Sequence, residues 1–124
     1  MPVRIRITAG KVIAEAELNE SPTATAILKA LPIEGKANRW GEEIYFEIPV
    51  KLEEAPDARQ EMAVGELAYW PVGAAFCIFF GRTPVSRDEK PRAYSNVNPL
   101  GTIAGDATVF RTVRDGEAVR IERA

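Results

Sequence analysis

Period-two alternation of apolar and polar residues, interrupted at short intervals by glycine, proline or asparagine, runs through most of this chain and restricts it to a mainly β fold. Val3, Ile5 and Ile7 alternate with Arg4, Arg6 and Thr8; after Ala9-Gly10, Val12, Ala14, Ala16 and Leu18 oppose Glu15 and Glu17. The two runs predict a β-hairpin with half-buried strands, turning at Gly10, the residue that takes a positive φ without steric cost. Further on, Ile44, Phe46, Ile48 and Val50 alternate with Tyr45, Glu47 and Pro49, which puts Tyr45 on the face opposite Phe46. Glu66 to Trp70 reads as a short strand, and Pro71-Val72-Gly73 separates it from Phe76 to Phe80. That last run is apolar on both faces and predicts a central strand covered from both sides. Near the C-terminus, Thr108, Phe110 and Thr112 oppose Val109, Arg111 and Val113, and Asp115-Gly116 turns the chain toward Val119 and Ile121.

One segment has a different period. Ser21 is suited to accept a hydrogen bond from the free amides of a first helical turn, and Pro22 suits the first helical position. Ala24, Ile27, Leu28 and Leu31 then recur at the spacing of one helical face until Pro32 stops the pattern. Residues 51–61 and 87–92 are polar, charged and broken by proline, and predict surface loops. Counting the runs gives about eight strands, the number that closes a small barrel with a filled interior. Closure removes exposed strand edges, and the helix is long enough to plug one end. With no repeat, linker or low-complexity tract, the chain predicts a single domain over residues 1–124.

Composition narrows the chemistry. There is no histidine, so Ser-His-Asp and Cys-His nucleophiles, histidine metal ligands and an imidazole base are all excluded. The single cysteine, Cys77, lies among Phe76, Ile78, Phe79 and Phe80 and reads as an inert buried thiol. Glycine-rich phosphate motifs are absent. The adjacent acids Glu42-Glu43 and Glu53-Glu54 would point to opposite faces of a strand and read as solvated surface groups. Sixteen basic residues against eighteen acidic ones, scattered in sequence, form no stripe for a nucleic acid. The longest apolar run is far too short to span a bilayer, and no secretory signal is visible. The expectation is a cytoplasmic protein with no cofactor, metal, nucleic-acid partner or membrane association.

Eight of the ten aromatic residues crowd into the middle third of the chain. Most belong in a core, but Trp40 and Trp70 stand beside turns, where an indole can line a pocket mouth. The candidate ligand site therefore has Trp40, Tyr45, Trp70, Phe79 and Phe80 as an apolar floor and Arg39, Arg82, Asn96 and Asn98 as polar groups. Its expected occupant is an extended peptide or a small apolar ligand.

The segments Glu17 to Ala24, Trp40 to Phe46, Gly65 to Pro71, Phe79 to Ser86 and Asn96-Val97-Asn98, in this order, resemble the small prokaryotic cyclophilin-like proteins, a family labelled as a domain of unknown function. The resemblance implies a closed eight-stranded cyclophilin-type barrel with one capping helix. Isomerases of the cyclophilin type carry a Phe-His-Arg and a Phe-Met-x-Gln segment, and neither occurs here. No catalytic residue is carried over, and the reading is a binding module. The alternative is a peptidyl-prolyl isomerase with a rebuilt site, in which Arg39 or Arg82 would donate to the twisted prolyl amide.

Overall fold

The computed structural model describes residues 3–124. Strands β1 (Val3–Ala9) and β2 (Val12–Leu18) form the expected hairpin, with Ala9 paired to Val12 across a two-residue turn and Gly10 at φ +58°. Ile5, Ile7 and Ala9 are fully buried. On the other face Arg4 and Arg6 reach Glu15 at 3.3 and 3.8 Å, exposed pairs that stabilise little. Ser21 caps helix α1 (Pro22–Ala30), its Oγ accepting from the Ala24 N–H at 3.1 Å. Ala24 and Ile27 are fully buried, while Leu28 and Leu31 pack on the same core from partly exposed positions.

The remaining strands are β3 (Ile33–Lys36), β4 (Asn38–Arg39), β5 (Glu43–Glu47), β6 (Arg59–Glu61), β7 (Glu66–Trp70), β8 (Ala75–Phe79), β9 (Arg92–Ile103) and β10 (Ala118–Arg123). Hydrogen bonding links them in the order β3-β10-β1-β2-β9-β7-β8-β5-β4, with β6 added on β9. The mainly β class and the single α-helix agree with expectation, but a closed barrel of eight strands does not. There are ten strands among the described residues, and the sheet stays open between β3 and β4.

Those two edges are consecutive in the chain, with Ala37 alone between them. Ala37 bonds to the turn before β10, through its N–H to the Glu117 carbonyl (2.8 Å) and its carbonyl to the Gly116 N–H (2.7 Å), after which Asn38 switches partner to Tyr45. A side chain replaces the missing ladder. Gly35 of β3 lies so close to the Phe46 ring that a Cβ on it would stand 2.9 Å from that ring, so aromatic packing fills the seam.

Two more expectations fail locally. Residues 108–113 are not a strand: Ala107–Thr112 is a 3-10 helix in which Asp106 Oδ1 accepts from the Thr108 N–H at 2.9 Å. Ala107, Phe110 and Val113 are buried at intervals of three, the period of that helix, which short alternation had masked. Residues 51–61 are not all loop, because Arg59–Glu61 forms β6.

β8 is central, buried along its whole length, and separates two apolar clusters. Phe76, Ile78 and Phe80 enter the main core with Phe46, Leu67 and Leu100. Cys77 and Phe79 face the other way, into a smaller cluster with Met62, Ala68, Ala93 and Val97. The first half of β9, flanked by β6, covers this outer face, and the candidate site lies at its rim.

Candidate functional site

A tight turn builds the first wall. Trp40 and Glu43 exchange backbone hydrogen bonds of 3.0 and 3.2 Å around Gly41 and Glu42. Directly opposed residues share a face, so the Trp40 indole and the Glu43 side chain flank one cleft. Gly41 makes the turn, at φ +60° and with Arg82 and Thr83 backbone atoms 2.9 Å from where a Cβ would sit. Two residues along β5, Tyr45 shares the face of Glu43, and beside it on β7 stands Trp70. Tyr94 of β9 completes the enclosure.

The four rings meet edge to face. Tyr94 lies 6.1 Å from Trp40 and 6.2 Å from Trp70, centroid to centroid, with interplanar angles of 75° and 80°, and Tyr45 meets Trp70 at 6.1 Å and 78°. This is the favoured geometry of interacting aromatic rings. Trp70 is held in its rotamer by a hydrogen bond from Nε1 to Ser95 Oγ at 2.7 Å. Ala93 and Val97 complete a cleft of about 170 Å³. For scale, an engineered apolar cavity of roughly 150 Å³ takes up benzene.

Glu43 is the polar member. It is 5% exposed, and its Oε1 is buried without a hydrogen-bond partner. Burial pushes its carboxyl up to about 8, an effect partly offset by the neighbouring Cys77 thiol. The group is therefore mainly protonated at neutral pH. The Cys77 thiol is pushed well up in turn, by burial first and then by Glu43; its own hydrogen bond runs to the Ala75 carbonyl at 3.9 Å. A thiol so placed is a poor nucleophile. Glu42 turns to the opposite side and pairs with Arg111.

Of the residues singled out in the sequence, Trp40, Tyr45 and Trp70 come together in the cleft. Phe79 is wholly buried in the outer cluster, paired in register with Glu43. Phe80 is wholly buried on the main-core side, with the Arg39 guanidinium 5.1 Å over its ring. Arg39, one residue before Trp40, turns away from the cleft, its Nη1 donating to the carbonyls of Val113 (2.8 Å) and Arg111 (3.1 Å) and its Nε to that of Gly41 (3.2 Å). Arg82 is exposed and lies outside the lining. Asn96 donates to Glu54 Oε2 at 3.3 Å. Asn98 is buried as a clip, accepting from the Ala55 N–H (2.8 Å) and donating to the Glu53 carbonyl (3.0 Å) and Thr23 Oγ1 (3.3 Å).

Glu43 and Tyr94 are not among the candidates that sequence pattern singles out. The alternation that put Tyr45 opposite Phe46 also puts Glu43 beside Tyr45, and that was the available signal. Tyr94 gave none, since its role depends on β9 folding over the outer face. Among the described residues no cluster of histidine, cysteine and acidic side chains could hold a metal ion, and no helix is long and apolar enough to cross a membrane.

A family model described as cyclophilin-like matches residues 3–122. The solution structure of the hypothetical protein AF2241 from Archaeoglobus fulgidus is similar at 42% identity and a TM-score of 0.83, over 99% of this chain and 95% of that one. None of the curated proteins matches.

Proposed function

The chain belongs to the cyclophilin-like family, and from that premise we propose that it is a binding module whose aromatic cleft takes a compact apolar group, on a small ligand or on a side chain of an extended peptide. One observation carries this reading: four aromatic rings from β5, β7, β9 and the turn before β5 converge on one partly open cleft that already contains a buried polar atom. Apolar walls with one or two fixed polar groups are the usual form of a small-ligand site. A rebuilt prolyl isomerase site has weaker support, because Arg39 is committed to three carbonyls and neither arginine lines the cleft.

The test is a titration with 3,3-dimethylbutan-1-ol, a compact neutral probe, followed through the indole N–H signals of Trp40 and Trp70. The reading expects saturable shifts at both indoles and at the Tyr45 and Tyr94 rings. Shifts elsewhere with these four unmoved would overturn it.

A further inference from the structure

We propose that the group received by this cleft is cationic: an alkylated ammonium that keeps one N–H, with its alkyl groups against the four rings and its N–H directed to Glu43 Oε1. The inference rests on the cleft being a ligand site and goes beyond it by assigning the ligand's charge and donor. Three observations lead to it.

The first is the box of rings. Trp40, Tyr45, Trp70 and Tyr94 meet at 75° to 80°, so their planes form walls, and aromatic faces carry the negative lobe of the ring quadrupole. Tryptophan is the best cation acceptor among aromatic side chains, and walls of this kind suit alkylated ammonium groups. A purely apolar ligand would be served equally well by leucine and valine.

The second is the orphan acceptor. A buried carboxyl oxygen without a partner is costly, and Glu43 Oε1 accepts no hydrogen bond from any side chain around it. An ammonium N–H supplies it. A quaternary ammonium satisfies the rings but leaves this oxygen unpaired, whereas unalkylated ammonium is strongly hydrated and has no apolar surface for the rings.

The third is charge. No lysine or arginine lines the cleft, so nothing there competes as the counter-ion. The titratable groups facing Glu43 are the Cys77 thiol on β8 and, in the lining, the Tyr45 and Tyr94 phenols. Burial keeps the Glu43 carboxyl protonated at neutral pH, and a cation beside it favours the carboxylate. The carboxyl thus avoids standing as a bare buried anion, and it releases its proton to solvent and becomes charged when a cation is present to neutralise it.

The chemistry has two sources, a free small amine or a dimethylated lysine side chain, and the experiment separates them. Calorimetric titrations would compare protonated N,N-dimethylethanolamine, choline, neutral 3,3-dimethylbutan-1-ol and an acetylated, amidated Ala-Lys-Ala peptide dimethylated on its lysine. The proposal expects the dimethylamine to bind about tenfold or more tighter than the alcohol, a difference that one charged contact readily supplies, and choline to fall between them. Tighter binding of the peptide than of the free amine assigns the protein source; the reverse assigns the free amine. Glu43→Gln should cut the preference of amine over alcohol to about the level shown by choline, because the four rings remain. Tyr94→Ala, at a side chain exposed enough (69%) to leave the fold intact, should weaken the amine severalfold. Equal binding of amine and alcohol would overturn the cationic assignment and leave the cleft reading standing. Binding of neither would overturn both.

Discussion

Trp70 Nε1 donates to Ser95 Oγ across 2.7 Å, and this bond ties the wall of the cleft on β7 to the half of β9 that covers the outer face. The walls consequently come from elements distant in sequence, and the cleft exists only while β9 stays folded over the outer cluster.

Ser95→Ala removes that tie without removing an aromatic ring. The expected loss is about 1 kcal/mol, the net value of one such hydrogen bond. Urea denaturation measures the loss, and faster hydrogen exchange at the Trp70 indole N–H would show that the wall has loosened.

Glu43 makes stability depend on pH. Its carboxyl sits near 8 in the folded protein and at its ordinary value near 4.5 when unfolded, so between those values the folded state binds the extra proton. Stability from this group is therefore present below pH 4.5 and is lost as pH rises toward 8, by a few kcal/mol at most. Glu43→Gln should remove this component. In paired urea denaturations at pH 5 and pH 8, the variant should gain on the wild type at the higher pH. An equal difference at both values would contradict the assignment.

Gly41 sets the positions of Trp40 and Glu43 together. Gly41→Ala places a methyl 2.8 to 2.9 Å from Pro84 Cδ, the Arg82 carbonyl and Thr83 Cα at a positive φ. The backbone conformation alone should cost about 1–3 kcal/mol. Thermal melting would register it, and both indole N–H signals should shift as the turn adjusts.

Asn98 serves the fold rather than the cleft. Asn98→Ala strips partners from the Ala55 N–H, the Glu53 carbonyl and Thr23 Oγ1, at an expected cost of about 2–3 kcal/mol. Affinity of the folded variant for the neutral probe should be unchanged, which separates this residue from Trp40 and Trp70.

Much of the fold was legible because local patterns and tertiary packing agree. The β1–β2 hairpin, the Ser21-capped helix and the doubly covered β8 all follow from periods of two or 3.6 and from capping chemistry. The 3-10 helix was not legible, because Thr108 to Val113 satisfies alternation as well as the three-residue burial of Ala107, Phe110 and Val113. The open seam was not legible either, since it depends on Phe46 packing against Gly35 in place of a ladder. In the site, two indoles beside turns and a tyrosine facing outward identified three of the four rings. Arg39 and Asn98 looked like polar groups of the cleft, but one bonds to carbonyls on the other side of its strand and the other clips a loop. Glu43 looked like half of a solvated acid pair, but tertiary packing buries it.

The most direct measurement is the carboxyl titration of Glu43, followed by carbon NMR with and without N,N-dimethylethanolamine. The account predicts a midpoint near 8 without the amine, falling by about one pH unit or more when the amine is bound. A midpoint at the ordinary carboxylate value, or one that the amine leaves in place, would contradict it.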